Sequence, residues 1–178
     1  MIIRAATSDD AAAVQAIYAH HVAYGTGTFE ETAPTVEQMS QRMADVARHG
    51  LPWIIVEEQQ RLLGYAYASP FRLRSAYRYT AEDSVYVAPD AQNRGVGKAA
   101  LREVLTLCGA MGLRQILAVI GDSTNTGSIG VHRSLGFEMI GTAPGLGFKQ
   151  NRFLDVVFMQ KALNGGDQGT PDWPGLAL

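Results

Sequence analysis

The chain has 178 residues, of which 15 are Lys or Arg and 17 are Asp or Glu, so its formal net charge is −2. This length fits a single domain, and a hydrophobic content of 47% is sufficient for a buried core. The near-neutral balance argues against a nucleic-acid-binding protein, which normally gathers a basic excess on one face. A single cysteine, Cys108, excludes an internal disulfide framework and a cysteine-based zinc cluster, and indicates a reducing compartment.

The N-terminal segment and the apolar runs argue against export and membrane insertion. The segment MIIRAATSDD turns acidic at once and lacks the apolar core and cleavage site of a signal peptide. No apolar run approaches the roughly 20 residues that span a bilayer. We therefore expect a cytoplasmic protein that does not contact membrane or nucleic acid.

The first part of the chain predicts one strand and two helices. A short strand is predicted for residues 2–5, and Ser8 is the predicted N-cap of a helix that reaches about His21. Thr35 begins a capping-box pattern and a second helix, which ends before Gly50.

The middle of the chain predicts a hairpin and then a strand that leads to a helix. The runs WIIVEE and LLGYAYAS are separated by a polar turn, which is typical of a hairpin. An irregular, Arg-rich segment follows at residues 70–79. The strand TAEDSVYV then stops at Pro89, and a helix is predicted for residues 98–111, closed by Gly112.

The last part predicts three strands, one short helix and a tail. The strand QILAVI precedes a helix at residues 128–135 with Gly136 after its end, and strands follow from residue 137 and at FLDVVFMQ. Residues 164–178 are rich in Gly and Pro without periodicity, so we expect a flexible tail after one domain at 1–163. Strands alternating with helices around a central hairpin predict an α/β or α+β sandwich with a mixed sheet.

A glycine-containing loop, Gln92-Asn93-Arg94-Gly95-Val96-Gly97, runs directly into the third long helix. Free backbone N–H groups at such a helix start can hold a phosphate, and glycines let it approach closely. A P-loop is excluded because Gln92 stands where a glycine is required and Ala99 replaces the magnesium-binding Ser or Thr. The dinucleotide fingerprint matches loosely, but the preceding strand ends about eight residues too early. A glycine-rich helix start without any ligand is the third interpretation.

The wider context resembles one enzyme superfamily. The Q-x-x-G-x-G loop, the following helix and strand, Asn125, and a short helix ending in Leu-Gly-Phe resemble the GNAT acetyltransferases. The blocks IYAHHV, TFEET, PWIIVEE, GYAYASPFRLRSAYRYTAEDSVYV, AVIGDSTNTGSIGVHRSLGF and GFKQNRFLDVVFMQ are similar to the phosphinothricin and methionine-sulfone N-acetyltransferase family, in its order and spacing. The resemblance implies the GNAT fold, with a central mixed, mostly antiparallel twisted sheet flanked by helices. It also implies acetyl-CoA as co-substrate, without a metal.

Three residues are candidates for the chemistry of acetyl transfer, which needs a deprotonated amine and a polarised carbonyl. The resemblance implies that Glu82 is the general base, acting through a water; an exposed carboxylate without a role is the alternative. Asp83 should point to the opposite face of the strand and so provide a control. His132 stands where many GNAT enzymes have a tyrosine, and it could act as acid, base or orienter. Tyr86 is a second candidate for the acid that would protonate the departing CoA thiolate.

The resemblance also implies a set of cofactor contacts. The backbones of Val85 and Val87 would pair with the pantetheine arm, and Asn125 and Ser128 would contact the arm or its nearby phosphate. The pyrophosphate would be held by Gln92, Asn93, Arg94, Gly95, Val96, Gly97 and Lys98.

The acceptor pocket is indicated by a local concentration of arginines. Arg72, Arg74 and Arg78 lie in a stretch without any Asp or Glu, which suits an anionic acceptor, although a solvated basic loop is the alternative. The resemblance implies an acceptor site lined by Phe29, Arg72, Arg74 and Tyr77. Lys149 and Arg152 are further candidates for this pocket, across a dimer interface.

The sequence therefore predicts an enzyme that acetylates the α-amino group of a small amino-acid-like substrate. Phosphinothricin, methionine sulfone and methionine sulfoximine are the expected types, and the transfer is expected to be direct, in a ternary complex. Another amine acceptor, such as a polyamine or a protein N-terminus, and a non-catalytic acetyl-CoA-binding protein are the alternatives. We expect a homodimer.

Overall fold

Seven strands form one mixed sheet in this computed structural model, which describes residues 1–178. The strand order is β1-β2-β3-β4-β5-β7-β6, and every neighbouring pair is antiparallel except β4 and β5. The strands are β1 (Ile2–Ala5), β2 (Trp53–Glu58), β3 (Arg61–Pro70), β4 (Thr80–Val87), β5 (Gln115–Gly121), β6 (Glu138–Lys149) and β7 (Arg152–Ala162). This confirms the predicted mixed, mostly antiparallel sheet.

Four α-helices cover the two faces of the sheet. They are α1 (Ala11–Tyr24), α2 (Val36–Arg48), α3 (Val96–Met111) and α4 (Thr126–Ser134). The helices α1 and α2 pack together on one face, where Tyr86 of β4 meets Tyr18 of α1. On the other face, Val85 and Val87 lie against Gly97 of α3. Because side chains alternate along a strand, β4 therefore presents Glu82, Ser84 and Tyr86 to the α1 face, and Asp83, Val85 and Val87 to the α3 face.

The two parallel strands separate partway along their length. Pairing between β4 and β5 runs from Thr80 opposite Gln115 to Asp83 opposite Ala118 and then ends. Beyond that point β4 is paired only with β3, and β5 only with β7. The divergence leaves an opening in the middle of the sheet, and this opening determines where a ligand can bind.

The predicted order of strands and helices is confirmed, with shifted boundaries at three helix starts. A 3₁₀ turn at Ser8–Asp10 leads into α1, and the cap of this turn is Thr7 rather than Ser8, because the Thr7 backbone N–H donates to Asp10 Oδ2 at 2.7 Å. The third helix begins at Val96 rather than at residue 98, since the left-handed Gly95 (φ 80°) turns the chain directly into it. The fourth begins at Thr126 because the Asn125 side chain accepts the Ser128 N–H.

The C-terminal segment at 164–178 is not the free tail that its composition predicts. Leu176 is only 5% exposed and belongs to the main hydrophobic core, and its N–H donates to the carbonyl of Arg78 at 2.8 Å. Trp173 lies against Gly112 and meets the Tyr79 ring edge-on. Two apolar side chains therefore attach a Gly- and Pro-rich segment to the domain, without a helix or strand. None of the helices combines the length and apolarity that crossing a membrane requires.

Candidate active site

A cleft of about 500 Å³ occupies the opening between β4 and β5. Its walls come from both faces of the sheet: His21 and residues 25–27 on the α1 side, and the start of α3 and parts of α4 on the other. The strand residues that line it are 83–87 of β4 and 118–120 of β5. The cleft therefore connects the two faces through the sheet.

Backbone groups of β4 point into this cleft. The Ala88 N–H donates to the carbonyl of Leu63, and in an antiparallel ladder the residues that bond the partner strand alternate. The N–H and C=O groups of Val85 and Val87 therefore point away from β3, toward the opening. His21 Nε2 already occupies one of them, because it lies 2.9 Å from the Val87 carbonyl oxygen. Burial lowers the pKa of His21, so the neutral ring donates this hydrogen bond.

The glycine-containing loop forms one end of the cleft. Asn93 (φ 60°) and Gly95 (φ 80°) are both left-handed, and Val96 to Lys98, the first residues of α3, line the cavity. The first N–H groups of a helix have no partner within it and carry its positive dipole end, so this end of the cleft can bind an anion. Predicted residues Gln92, Asn93, Gly95, Val96, Gly97 and Lys98 all line the cavity.

Arg94 is the exception within this loop. Its guanidinium lies 2.7 Å from Glu58 Oε2, and neither side chain is buried. Arg94 does not line the cleft, so its charge is directed toward β2 rather than toward the anion-binding end.

The opposite wall is formed by the start of α4. Asn125 and Ser128 line the cleft as predicted. The Asn125 amide is already engaged, because Nδ2 donates to the Gly121 carbonyl at 3.2 Å and Oδ1 accepts the Ser128 N–H at 3.1 Å. Its direct role is therefore to cap α4 and fix this wall.

His132 also lines the cleft, but both of its ring nitrogens bond to the protein. Nε2 lies 2.9 Å from Asp83 Oδ2, and Nδ1 lies 2.7 Å from the Ser128 carbonyl oxygen. Burial alone would lower the pKa of His132, but the hydrogen bond and charge of Asp83 raise it above the ordinary value. Asp83 points away from the Glu82 face, as predicted. The prediction that it provides a control for Glu82 is wrong, because Asp83 is buried against His132.

Glu82 occupies the α1 face next to the cleft. Its side chain is half-buried, and burial and then the charge of Asp83 raise its pKa, against an opposing effect of Arg72. A carboxylate whose pKa lies above the ordinary range is a better proton acceptor than an exposed one. The sequence predicts Glu82 as the general base, and the structure adds that burial raises the pKa of its carboxyl group.

Tyr86 lines the cleft on the same face as Glu82. Its ring packs against Tyr18, His21 and Tyr65, with centroid distances of 5.0 to 5.4 Å. Burial, followed by the neighbouring tyrosines, raises the pKa of Tyr86 well above its ordinary value. The hydroxyl therefore stays protonated at neutral pH, as a proton donor requires.

The predicted acceptor residues lie around the cleft rather than in its wall. Arg72 stacks on the Phe71 ring at 4.4 Å, and Tyr77 meets the same ring edge-on at 5.5 Å, so these three form one cluster. Arg74 is exposed and its guanidinium makes no hydrogen bond, while its carbonyl accepts the Tyr77 N–H at 2.9 Å. Phe29 is separate from this cluster, on the far side of the opening, where its ring covers Gly121 and Gly147.

Lys149 and Arg152 do not complete the pocket as expected. Lys149 is 3% exposed, and its ammonium donates to the carbonyls of Gly25 at 2.9 Å and Thr28 at 2.8 Å. Arg152 pairs with Asp122 at 2.7 Å. Both cations are therefore engaged within the chain, and Lys149 fixes the loop whose residues 25–27 line the cleft. A lone lysine at the end of a predicted strand gives no sequence signal of such a role.

The match to known proteins agrees with this architecture. The sequence profile of the Acetyltransferase (GNAT) family matches residues 14–137, and the chain belongs to that family. Within it, the chain is 47% identical over 170 residues to phosphinothricin N-acetyltransferase of Alcaligenes faecalis, covering 96% of this chain and 86% of that enzyme. It is 36% identical over 163 residues to the L-methionine sulfoximine/L-methionine sulfone acetyltransferase of Pseudomonas aeruginosa, covering 91% and 94%.

A solved structure supports the same relationship. A GNAT superfamily phosphinothricin acetyltransferase from Sinorhizobium meliloti, in complex with acetyl-CoA, superposes with a TM-score of 0.92 at 41% identity, covering 96% of this chain and 92% of that one. The predicted family, fold and enzyme class are thereby confirmed: the protein is an N-acetyltransferase of the GNAT family related to phosphinothricin acetyltransferases.

Proposed function

We propose that this enzyme transfers the acetyl group of acetyl-CoA to the α-amino group of a small amino-acid-like anion. Phosphinothricin, methionine sulfone and methionine sulfoximine are the acceptor types that its similarity to the named relatives favours. The observation that carries the proposal is the cleft through the sheet, which has an anion-binding helix start on one face and Glu82 beside it on the other.

The residues of the α3 face fit acetyl-CoA. The backbone groups of Val85 and Val87 can pair with an extended amide-bearing arm, as an added strand would. The start of α3 can hold the pyrophosphate, where Gly97 leaves no side chain between the helix and β4. When bound, acetyl-CoA supplies the acetyl group as a thioester. A backbone N–H of β4 at the opening is the proposed donor to the developing oxyanion.

Glu82 is the proposed general base. An amine enters the cleft as an ammonium ion and must lose a proton before it can attack. The Glu82 carboxylate accepts this proton through a water, which its raised pKa favours. Tyr86 lies on the same face, and its hydroxyl remains protonated. It is the proposed donor of a proton to the departing CoA thiolate.

We propose direct transfer in a ternary complex, because the single cysteine is not placed to act as a nucleophile. Cys108 is fully buried, does not line the cleft, and has a pKa raised to about 12 by burial and by the charge of Asp83. Because the thiolate rather than the thiol is the nucleophile, Cys108 cannot carry the acetyl group. We therefore expect no acetyl-enzyme by intact mass spectrometry, and unchanged turnover in Cys108→Ala.

The acceptor carboxylate is proposed to meet the cluster around Phe71. Arg72 and Arg74 offer guanidinium forks that bind carboxylate or phosphinate in bidentate fashion, and Tyr77 borders them. Phe29 would close the far side of the same pocket. A cationic polyamine is disfavoured beside these arginines.

A homodimer is proposed on the basis of an exposed apolar patch on the last hairpin. Leu146, Phe148 and Phe153 are 64%, 54% and 72% exposed, and the two phenylalanine rings contact each other. Contiguous exposed apolar surface of this kind commonly marks a protein interface. Light scattering of the wild type and of Phe153→Glu tests this: a dimer that becomes a monomer supports it.

The free cysteine favours action in a reducing compartment, for which we propose the cytoplasm.

The central experiment measures release of CoA thiol with a panel of acceptors. The panel contains phosphinothricin, methionine sulfone, methionine sulfoximine, a polyamine and a peptide, each with the wild type and with Glu82→Gln. We expect turnover with the amino-acid analogues, a fall of about 100-fold or more in Glu82→Gln, and unchanged acetyl-CoA affinity by calorimetry. Turnover with the polyamine or the peptide alone would overturn the proposed acceptor class. Binding of acetyl-CoA without any turnover would overturn the enzymatic proposal.

A further inference from the structure

We infer that Asp83 is a positioning residue that keeps the His132 ring doubly protonated, so that His132 anchors α4 to β4 and does not accept the amine proton. The inference concerns the same cleft and rests on the proposed function only for the identity of the reaction. It separates two neighbouring carboxylates, Glu82 and Asp83, into different tasks on opposite faces of the sheet.

The first ring nitrogen of His132 is occupied by a backbone acceptor. Nδ1 lies 2.7 Å from the carbonyl oxygen of Ser128, one helical turn earlier. A carbonyl oxygen can only accept a hydrogen bond, so Nδ1 must carry the proton. The Ser128 hydroxyl is more distant, at 3.4 Å.

The second ring nitrogen is occupied by Asp83. Nε2 lies 2.9 Å from Asp83 Oδ2, and the side chains of the two residues are 3% and 1% exposed. One proton lies between these atoms, and wherever it resides, His132 has no free lone pair for a substrate proton. His132 can therefore neither accept the amine proton nor turn a nitrogen toward the reacting atoms without breaking this bond.

The charges around the pair identify the ring as a cation. A carboxylate buried as deeply as Asp83 requires a counter-charge. Its Oδ1 has no hydrogen-bond partner, and no Lys or Arg contacts it, which leaves the His132 ring as its counter-ion. Two other titratable groups lie near the pair. Cys108 on α3 is a neutral thiol, and Glu82 is an anion that lies on the opposite face of β4.

The pair has a mechanical consequence for the cleft. His132 is the only fully buried residue of α4, so its bond to Asp83 attaches this helix to β4, alongside the apolar contacts of Ile129 and Val131 with the core. The start of the same helix carries Asn125 and Ser128, which line the α3 side of the cleft. Asp83 thus acts on the cofactor wall through His132, whereas Glu82 acts on the amine.

Nitrogen NMR of the histidine rings tests the inference without any substrate. The chain has four histidines, and the His132 signals are assigned by their loss in His132→Gln. In the wild type near pH 7 we expect both ring nitrogens of His132 to carry protons, whereas a free histidine, with a pKa of about 6.5, is mostly neutral. In Asp83→Asn one of these protons should be lost. A ring nitrogen without a proton in the wild type, or unchanged signals in Asp83→Asn, would overturn the inference.

Kinetics of the same variants separate positioning from base catalysis. We expect Asp83→Asn to raise the KM for acetyl-CoA by about tenfold, while the KM for the amine is unchanged and the acid limb of the pH profile persists. Asp9→Asn, which alters an exposed carboxylate, is the matched control and should behave as the wild type. An effect on the amine alone, or loss of the acid limb, would instead assign the pair to proton transfer. Because the NMR result needs no turnover, its failure is distinguishable from failure of the proposed acetylation.

Discussion

Lys149 and Thr28 are 121 residues apart in sequence, yet the Lys149 ammonium donates to the Thr28 carbonyl at 2.8 Å in the interior of the protein. A second bond, to the Gly25 carbonyl at 2.9 Å, fastens the other end of the same loop. The last residue of β6 thus supports the segment that carries Phe29 and borders the cleft. The wall of the proposed acceptor pocket is therefore fixed before any substrate binds.

Replacing Lys149 should disturb both stability and acceptor binding. Lys149→Met leaves two buried carbonyls without their donor, and each unsatisfied group costs about 1–3 kcal/mol. We expect urea unfolding to show a loss of about 2–4 kcal/mol. The KM for the amine should rise more than the KM for acetyl-CoA. The control is Lys161→Met, since the Lys161 ammonium makes no hydrogen bond in the structure. Equal stability of the two variants would contradict the role of Lys149.

The acid limb of the pH profile should report Glu82. Because the base must be ionised, kcat/KM for the amine should fall as the pH decreases through the raised pKa of Glu82. We expect the midpoint of this limb to lie above the ordinary glutamate pKa of about 4.3. The residual activity of Glu82→Gln should lack the limb. Rates measured from about pH 4.5 to pH 8 test this. A limb that persists unchanged in Glu82→Gln belongs to another group.

The same raised pKa has a consequence for stability. A carboxylate whose folded-state pKa exceeds its unfolded-state value favours the protonated fold, and this contribution is lost as the pH rises through the folded-state pKa. Glu82→Gln, which remains neutral, should therefore melt at a higher temperature than the wild type near pH 7.5. The difference should vanish at about pH 4, below the unfolded value. A lower melting temperature at the higher pH would show that ionised Glu82 stabilises the fold.

The fold could be predicted from the sequence because its signals are local. Capping residues such as Thr35, the period of the apolar residues and the turn at Gly112 each act within a few positions. The contacts that define the site are long-range. Alternation along β4 predicts that Asp83 points away from Glu82, but nothing local predicts that it meets His132, 49 residues later.

The C-terminal segment also makes long-range contacts that the sequence does not predict. Leu176 and Trp173 are isolated apolar residues among Gly and Pro, so no periodicity marks them. Their burial depends on a groove assembled from Gly112, Tyr79 and Arg78, residues that are distant in sequence. Composition predicted the lack of regular structure correctly but could not predict the docking.

Replacing Gly95, which precedes α3, and Gly109, which lies within it, by alanine should change the stability with opposite signs. Gly95 is left-handed (φ 80°) with no atom near its missing Cβ, so Gly95→Ala should lose about 1–2 kcal/mol from backbone strain alone. Gly109 lies within the helix and is equally open, so Gly109→Ala should gain about 0.5–1 kcal/mol. Denaturant unfolding measures both. Only Gly95→Ala should also weaken acetyl-CoA binding, because the strain falls on the proposed phosphate-binding end of the cleft. Matching effects at the two positions would contradict the conformational explanation.

Loosening the docked C-terminal segment should weaken binding of the amine in the proposed acceptor pocket, because the segment contacts Arg78. Leu176 donates its N–H to the Arg78 carbonyl, and Gly175 packs on the Arg78 side chain, at the base of the loop that carries Arg72 and Arg74. Leu176→Ala should lower the unfolding free energy by about 2–3 kcal/mol, as for other buried leucines. It should also raise the KM for the amine without changing the KM for acetyl-CoA, since the α3 face is untouched. Leu178→Ala, at a more exposed position, is the matched control. A variant ending at residue 163 that kept full stability and both KM values would show that the segment is dispensable.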